Sequence, residues 1–225
     1  MAKENRKSQK QLRQEKIRAQ KMWRQWIGIG ALALILIGAV FWNASRPKAQ
    51  PLDETRLASN PTLGPDTAKA VITEYGDFGC SSCRAWHNAG IMEQVIAAYG
   101  DQVRFVWKDF PVITAQSPKA AEAGQCAFDQ GRFWEFHDYV YEEGYLLGED
   151  DLKNYAARLG LDTEKFNQCL DSGQNRAKVE QSLNEALREY AFPGTPSFLV
   201  NGRKLIGPPT FDVLKSTIDE ILAGG

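Results

Sequence analysis

The cysteine pair Cys80 and Cys83, placed between a strand pattern and a helix pattern, constrains this chain more than any other feature. Residues 70–75 are apolar and rich in β-branched side chains, which is typical of a short buried strand. A helical pattern begins at the first cysteine and extends to about Tyr99. Two cysteines three positions apart share one helix face, and the N-terminal end of a helix stabilises a thiolate. Because a thiolate is the species that attacks a disulfide, the pattern predicts a thiol–disulfide exchange site.

The same two cysteines could instead form a structural disulfide or half of a zinc site. A four-cysteine zinc site needs two closely spaced pairs, and the other cysteines, Cys126 and Cys169, are 43 positions apart. Only two histidines could complete such a site. We therefore expect a redox pair, with no metal and no other cofactor.

The N-terminal part of the chain predicts a membrane anchor. Residues 1–24 form a basic tail, and the first 25 residues carry nine Lys or Arg against two Glu. Residues 25–45 contain no charge, and roughly 20 such residues span a bilayer as a helix. Aromatic residues flank this segment, and the basic tail predicts a cytoplasmic N-terminus. We expect a single-pass protein of the cell membrane that contacts the lipid bilayer through residues 25–45, with its catalytic domain extracytoplasmic.

Two other interpretations of residues 25–45 fit the sequence less well. A cleaved signal peptide fits less well, because the basic tail is long and Trp42 stands where a small residue is needed, but cleavage stays open. A buried core helix fits poorly, because the segment is apolar on all sides. After residue 25 the chain has 18 basic and 26 acidic residues, which argues against a nucleic-acid partner.

A linker and one folded domain are predicted after the anchor. Residues 46–66 are rich in proline, which favours a semi-extended linker. Residues 67–225 are enough to enclose one hydrophobic core. Within them the pattern of residues 71–75, 80–99 and 103–107 predicts a strand, a helix and a strand, and such a crossover gives a parallel pair.

A helical insertion separates this unit from two further strands and a last helix. It extends over about residues 117–190, where glycines interrupt four or five helical segments. These segments lie near 117–130, 132–143, 149–159, 163–171 and 174–190. Strands are then predicted at 196–200 and 203–206, joined by a hairpin turn at Asn201-Gly202, with an amphipathic helix at 210–222. The fold class is α/β, with a helical insertion between a βαβ and a ββα half.

The sequence resembles the DsbA-like branch of the thioredoxin superfamily, in an anchored or secreted extracytoplasmic form. The similarity covers about residues 63–223. It rests on four stretches, at residues 74–83, 103–111, 133–137 and 194–202. The resemblance implies a thioredoxin fold with a helical insertion, preceded here by the one predicted transmembrane helix. It also implies thiol–disulfide exchange activity.

Cys80 comes first, nearer the helix N-terminus and solvent, so we expect it to be the attacking thiol. Cys83 lies one turn further in and would resolve the mixed disulfide. The resemblance implies roles for three more residues. An acid at the position of Glu74 lies beneath the disulfide and relays protons; the alternative is an edge position with the carboxylate in water. Pro196 would be cis, which only X–Pro bonds adopt at low cost, and would face the sulfurs. The backbone of Thr195 would then pair with a substrate strand. An ordinary trans proline is the alternative.

Some residues near the motif have more than one interpretation. Trp86 could line the substrate side or lie in the core, and we include it among the substrate-binding candidates. His87 could tune the thiolate but is better explained by packing or exposure. Cys126 and Cys169 are expected to form a structural disulfide, because the predicted location is oxidising and the cysteine count is even. A second redox pair and free thiols remain alternatives for these two cysteines.

The predicted function is to introduce disulfides into exported proteins that carry free cysteines. The resemblance implies that a quinone-linked membrane protein reoxidises the site. Ser81-Ser82 stands where the strongly oxidising family members have Pro-His, so we expect a less oxidising potential. Reductase or isomerase activity therefore remains an alternative, as do a non-catalytic chaperone-like binding module and a structural subunit whose cysteines only brace the fold.

Overall fold

The structure is a computed structural model that describes residues 59–224. Over these residues the chain forms five strands and eight α-helices. The strands are β1 (Thr62–Leu63), β2 (Ala70–Gly76), β3 (Val103–Asp109), β4 (Ser197–Val200) and β5 (Arg203–Ile206). The helices are α1 (Ser81–Asn88), α2 (Ile91–Tyr99), α3 (Ser117–Phe128), α4 (Phe133–Glu142), α5 (Glu149–Arg158), α6 (Thr163–Ser172), α7 (Arg176–Asn184) and α8 (Phe211–Ala223). This order confirms the predicted α/β class, with the helices α3 to α7 inserted between two strand-containing halves.

The sheet places β2 at its centre. Its strand order is β1-β3-β2-β4-β5. Strand β2 pairs with β3 in parallel, as predicted, and with β4 in antiparallel orientation. All seven residues of β2 are buried. A strand covered on both faces needs no alternation of polar and apolar residues, which explains its nearly continuous apolar sequence.

The predicted hairpin between β4 and β5 is confirmed. Asn201 and Gly202 form its turn with positive φ angles of 45° and 80°, which is the combination that a type I′ turn requires. The Asn201 side chain also accepts a hydrogen bond from the Val71 N–H at 2.7 Å and donates one to the Lys69 carbonyl at 2.8 Å. The turn therefore also holds the beginning of the central strand in place.

The five predicted helices of the insertion are also confirmed. Asp162 caps α6, as its position suggests, by accepting from the Lys165 N–H at 3.1 Å. A π-helical turn, Glu185–Glu189, follows α7 and completes the segment predicted as one helix. Such short π-helical turns are not visible in the apolar periodicity of a sequence.

Two predictions about element boundaries are wrong. The continuous helix at 80–99 is divided into α1 and α2 at Gly90, whose φ of 64° is left-handed and cannot continue a right-handed helix. The predicted linker at 46–66 reaches too far, because β1 pairs with β3 and so belongs to the sheet. The fold therefore begins before the predicted boundary at residue 67. A strand of two residues is too short to show a pattern.

Two hydrophobic clusters position the cysteines. One packs α1, α2 and α8 against the sheet, with side chains such as Ile72, Val95 and Leu214. The other joins Cys80 and Cys83 to the apolar side chains of the helical insertion. The cysteine pair consequently lies where the sheet unit meets the insertion.

No helix among residues 59–224 has both the length and the apolar character needed to cross a membrane. The predicted span at 25–45 and the basic tail at 1–24 lie outside the described residues.

Candidate active site

Cys80 is the N-cap residue of α1. Its backbone is extended, and its Sγ accepts a hydrogen bond from the Cys83 N–H at 3.4 Å. The sulfur thus takes the place that a serine or aspartate oxygen has at other helix starts, facing the unpaired N–H groups of the first turn. Cys80 is 5% exposed and Cys83 is fully buried, and the two are not bonded to each other. Ser81 and Ser82 between them are exposed.

The two thiols have opposite acidities. A hydrogen bond from the Cys83 side chain is the main cause that lowers the pKa of Cys80 from 9.0 to about 6, although desolvation acts in the other direction. Burial raises the pKa of Cys83 well above 9.0. At neutral pH Cys80 is therefore a thiolate and Cys83 a thiol, and only the former is a ready nucleophile and leaving group.

The Thr195–Pro196 peptide bond lies beside Cys80 and is cis, which confirms the predicted geometry. When Cys80 is protonated, its thiol donates to the Thr195 carbonyl oxygen at 3.4 Å. The Thr195 hydroxyl is buried and bonds to no other polar group of the described residues. It is thus available as a donor to the thiolate, and hydrogen bonding from Thr195 also lowers the pKa of Cys80.

Glu74 is buried in the central strand, so the alternative of an edge position in water is wrong. It is 7% exposed, and its Oε1 receives no hydrogen bond from residues 59–224. It shares a strand face with Ile72, which packs toward α1 and α2. Burial, and then repulsion from the Cys80 thiolate, raises the pKa of Glu74 from 4.5 to about 8. The carboxyl is therefore neutral at pH 7 but able to exchange its proton near that pH.

Asp77 organises the loop in front of α1, and the sequence analysis missed it. Its buried carboxylate accepts hydrogen bonds from the Gly79 N–H at 2.7 Å and from the Val112 and Ile113 N–H groups at 2.8 Å each. The Val112 and Ile113 side chains are 43% and 49% exposed. An aspartate two residues before a glycine at a helix start is a turn signal that could have been recognised. The contact with the loop after β3 had no local signal.

Arg84 and Tyr141 hold α1 against the helical insertion. The Tyr141 hydroxyl donates to the Asp77 carbonyl at 3.0 Å. The Arg84 guanidinium donates to the carbonyl oxygens of Tyr141 at 2.9 Å and of Gly144 at 3.1 Å. Because Cys80 is the N-cap of α1, these bonds fix the position of the insertion relative to the cysteine pair. Neither residue was predicted, because the partners are backbone carbonyls distant in sequence.

The assignment of Trp86 to substrate binding is corrected by the structure. Trp86 is only 5% exposed, and its indole N–H donates to the Pro209 carbonyl at 2.8 Å. Its ring packs on Phe198 with centroids 4.9 Å apart. These contacts place the Trp86 side chain in the core, between α1 and the sheet. His87 is also buried, in agreement with the packing interpretation.

The predicted disulfide between Cys126 and Cys169 is confirmed. It joins α3 to α6, with Cα atoms 5.9 Å apart. Both residues are buried in the core of the insertion. The bond connects two segments of the insertion that are far apart in the chain, and its purely structural role remains a prediction.

A cavity lined by both polar and apolar side chains opens beside the helix start. Its volume is about 350 Å³, and Phe78, Gly79 and Arg84 form part of its wall. Tyr145 and Leu146 line the opposite side and are 72% and 62% exposed. The Arg84 guanidinium lies 4.7 Å from the centre of the Tyr145 ring, as in a cation–π contact. The exposed Val112 and Ile113 of the loop after β3 add apolar side chains to this part of the surface.

Comparisons with known proteins agree with this geometry. The family model described as thioredoxin matches residues 57–220. A probable disulfide bond formation protein D of Bacillus anthracis is 30% identical over 201 residues, which cover 84% of this chain and 91% of that protein. An Na(+)/H(+) antiporter NhaA of Herminiimonas arsenicoxydans is 38% identical over 144 residues, or 64% of this chain. The chain spans only about a quarter of the length of such antiporters, 22% in this case.

Solved structures show the same fold. A thioredoxin-like oxidoreductase from Silicibacter pomeroyi DSS-3 superposes with a TM-score of 0.68 at 25% identity, covering 76% of this chain and 99% of that one. Oxidised BdbD from Bacillus subtilis superposes with a TM-score of 0.69 at 23% identity, covering 78% and 97%.

Proposed function

Because this chain belongs to the DsbA-like branch of the thioredoxin superfamily and is a protein disulfide oxidoreductase, we propose that it introduces disulfides into exported proteins through Cys80 and Cys83. The observation that carries the proposal is the opposite acidity of the two thiols. A pKa of about 6 makes Cys80 a good leaving group, whereas Cys83 holds its proton. A pair with this asymmetry is more stable when reduced, which favours taking electrons from a substrate.

The reaction follows from the positions of the groups. A substrate thiolate attacks Cys80 Sγ of the oxidised pair, which forms a mixed disulfide and breaks the Cys80–Cys83 bond. The electron pair of that bond goes to Cys83, which needs a proton because its pKa is high. The neutral carboxyl of Glu74 supplies this proton and recovers one from solvent. The second thiolate of the substrate then attacks the substrate sulfur of the mixed disulfide. This forms the substrate's disulfide and expels Cys80 as a thiolate. The substrate loses two electrons, and the cysteine pair gains them.

The surroundings of Cys80 suit a polypeptide substrate. The Thr195 carbonyl lies 3.4 Å from the sulfur, where the backbone of an extended substrate could reach it. The exposed side chains of Val112, Ile113 and Tyr145 add apolar contacts on the other side of the helix start.

The cellular setting is part of the same proposal. Residues 25–45 would anchor the chain in the lipid bilayer, with the tail of residues 1–24 in the cytoplasm and the catalytic domain outside. A quinone-linked membrane protein would accept the electrons and restore the Cys80–Cys83 disulfide. No nucleic acid is expected among the partners, since the chain after residue 25 is acidic.

Two measurements test the proposal. A Cys83→Ala variant should accumulate mixed disulfides with extracytoplasmic proteins, and Cys80→Ser should trap none. If neither variant traps a client although both are folded, the chain acts as a binding module or a structural subunit instead. A reduction potential near the value of about −270 mV that is typical of thioredoxin would show a reductase rather than an oxidase.

A further inference from the structure

The only two histidines of the chain meet in space. His87 lies on α1 and His137 on α4, 50 positions later, and their ring centres are 5.2 Å apart. The Oδ1 atom of Asp138 lies 2.8 Å from His137 Nδ1 and 4.0 Å from His87 Nδ1. One possible ligand atom from each of the three residues lies within 4.8 Å of the other two. We propose that His87, His137 and Asp138 bind one divalent transition-metal ion of the zinc type.

The separations of the two histidine nitrogens from the Asp138 oxygen are compatible with such an ion. Zinc bonds to imidazole nitrogen and carboxylate oxygen are about 2.0–2.2 Å long, so the ligand atoms of a tetrahedral site lie about 3.3 Å apart. The observed 2.8 Å and 4.0 Å stand on either side of that value. Two imidazoles and one carboxylate are donors that zinc, nickel and copper prefer, whereas calcium and magnesium require oxygen ligands.

Glu142 supplies the supporting contact that histidine ligands of metals usually have. Its Oε1 lies 3.5 Å from Nε2 of His87. With the Nε2 proton directed at this carboxylate, the lone pair of His87 is on Nδ1, the nitrogen nearer Asp138. An imidazole held between a metal and a carboxylate is fixed in tautomer and orientation.

The surroundings of His137 are compatible with a cation at this place. Its Nε2 is buried and bonds to no other polar group of residues 59–224. Rings of Trp107, Trp134 and Tyr141 meet the imidazole edge to face, with centres 4.7–5.2 Å away. An Nε2–H among aromatic rings is more favourable than a lone pair there. The Nδ1 lone pair then faces the Asp138 oxygen at 2.8 Å, and a metal ion bound to both atoms would remove that conflict.

The site is open to solvent on one side. The histidine side chains are 6% and 3% exposed, whereas Asp138 is 42% and Glu142 is 61% exposed. Three protein ligands leave a fourth position for water, and the exposed carboxylates provide a path of entry. Bound metal would join α1, which begins at Cys80, to α4 of the helical insertion.

Zinc binding by the full-length protein with the Cys80–Cys83 pair oxidised tests the proposal, because thiolates of the reduced pair would bind zinc themselves. Competition with a chromophoric chelator should show one equivalent of zinc, and cobalt should give a visible d–d spectrum. His87→Gln and Asp138→Asn should each weaken binding at least about tenfold, and Glu142→Gln about tenfold. Glu143→Gln, which changes an exposed carboxylate one position away, should bind as the wild type does.

Zinc should also shift the imidazole ¹⁵N resonances of both histidines in the unsubstituted protein, so the result does not depend on the folding of a variant. Failure to bind one equivalent, or binding that stays equally tight in His87→Gln and Asp138→Asn, would overturn the proposal. A zinc titration that shifts the ¹⁵N resonances of neither histidine would also overturn it. A merely structural role for the two histidines predicts all of these negative results.

Discussion

Replacing Glu74 by glutamine should remove a large part of the pH dependence of stability. The folded state raises the pKa of this carboxyl from 4.5 to about 8, first through burial and then through the Cys80 thiolate. The folded protein therefore holds the proton between these values while the unfolded chain releases it. The resulting stability is complete below pH 4.5 and is lost as the pH rises through about 8. The interval between the two pKa values is worth about 5 kcal/mol, at about 1.4 kcal/mol for each pH unit.

The assay is guanidinium unfolding of the oxidised protein between pH 4.5 and 8.5, followed by tryptophan fluorescence. Burial is the larger cause and does not depend on the cysteines, so most of the effect should persist without a thiolate. The wild-type protein should lose several kcal/mol relative to Glu74→Gln over this range. Glu93→Gln, at an exposed position in the first turn of α2, is the matched control and should follow the wild type. Parallel curves for wild type and Glu74→Gln would refute the reasoning.

Three further outcomes follow from the described contacts. Alkylation of Cys80 by iodoacetamide should have its midpoint near pH 6 while Cys83 stays unreactive; a midpoint near 9 would contradict the proposed hydrogen bonding. Trp86→Phe should lower thermal stability, because it leaves part of the core unfilled, yet exchange with a small dithiol should keep its rate; a slower rate in the folded variant would restore a substrate role. Replacing Cys126 and Cys169 together by alanine should cost about 4 kcal/mol of unfolding free energy, because the bond closes a loop with a sequence separation of 43. The Cys80–Cys83 potential should not change, and a shift would favour a second redox pair.

The parts of the site that the sequence predicts are those encoded locally. A cysteine pair at the start of a helix places both sulfurs, and the apolar run around Glu74 shows that its strand is buried. The hairpin residues Asn201-Gly202 determine their own turn. In each case neighbouring residues in the chain are enough to determine the geometry, so a pattern of spacing and residue type carries the information.

The contacts that the sequence does not reveal join distant segments through the backbone. Asp77 accepts from N–H groups more than 30 positions away, and Arg84 donates to the carbonyls of Tyr141 in α4 and of Gly144, two residues after that helix ends. Backbone partners leave no trace in residue identity, because any residue supplies them. The position of Trp86 is also not visible in the sequence, because a large aromatic residue near a reactive cysteine is compatible with either a core or a surface position. Its packing on Phe198 of the sheet shows that it lies in the core.

The exposure of Ser81 and Ser82 has a consequence for how such a protein evolves. The groups that hold the geometry, among them Asp77 and the cis bond before Pro196, are buried or fixed in the backbone. The two residues between the cysteines lie at the surface, where most substitutions cost little stability. A lineage can therefore change the electron affinity of the pair by two substitutions without rebuilding the fold around it. The redox potential of the cysteine pair can thus change in evolution independently of the fold.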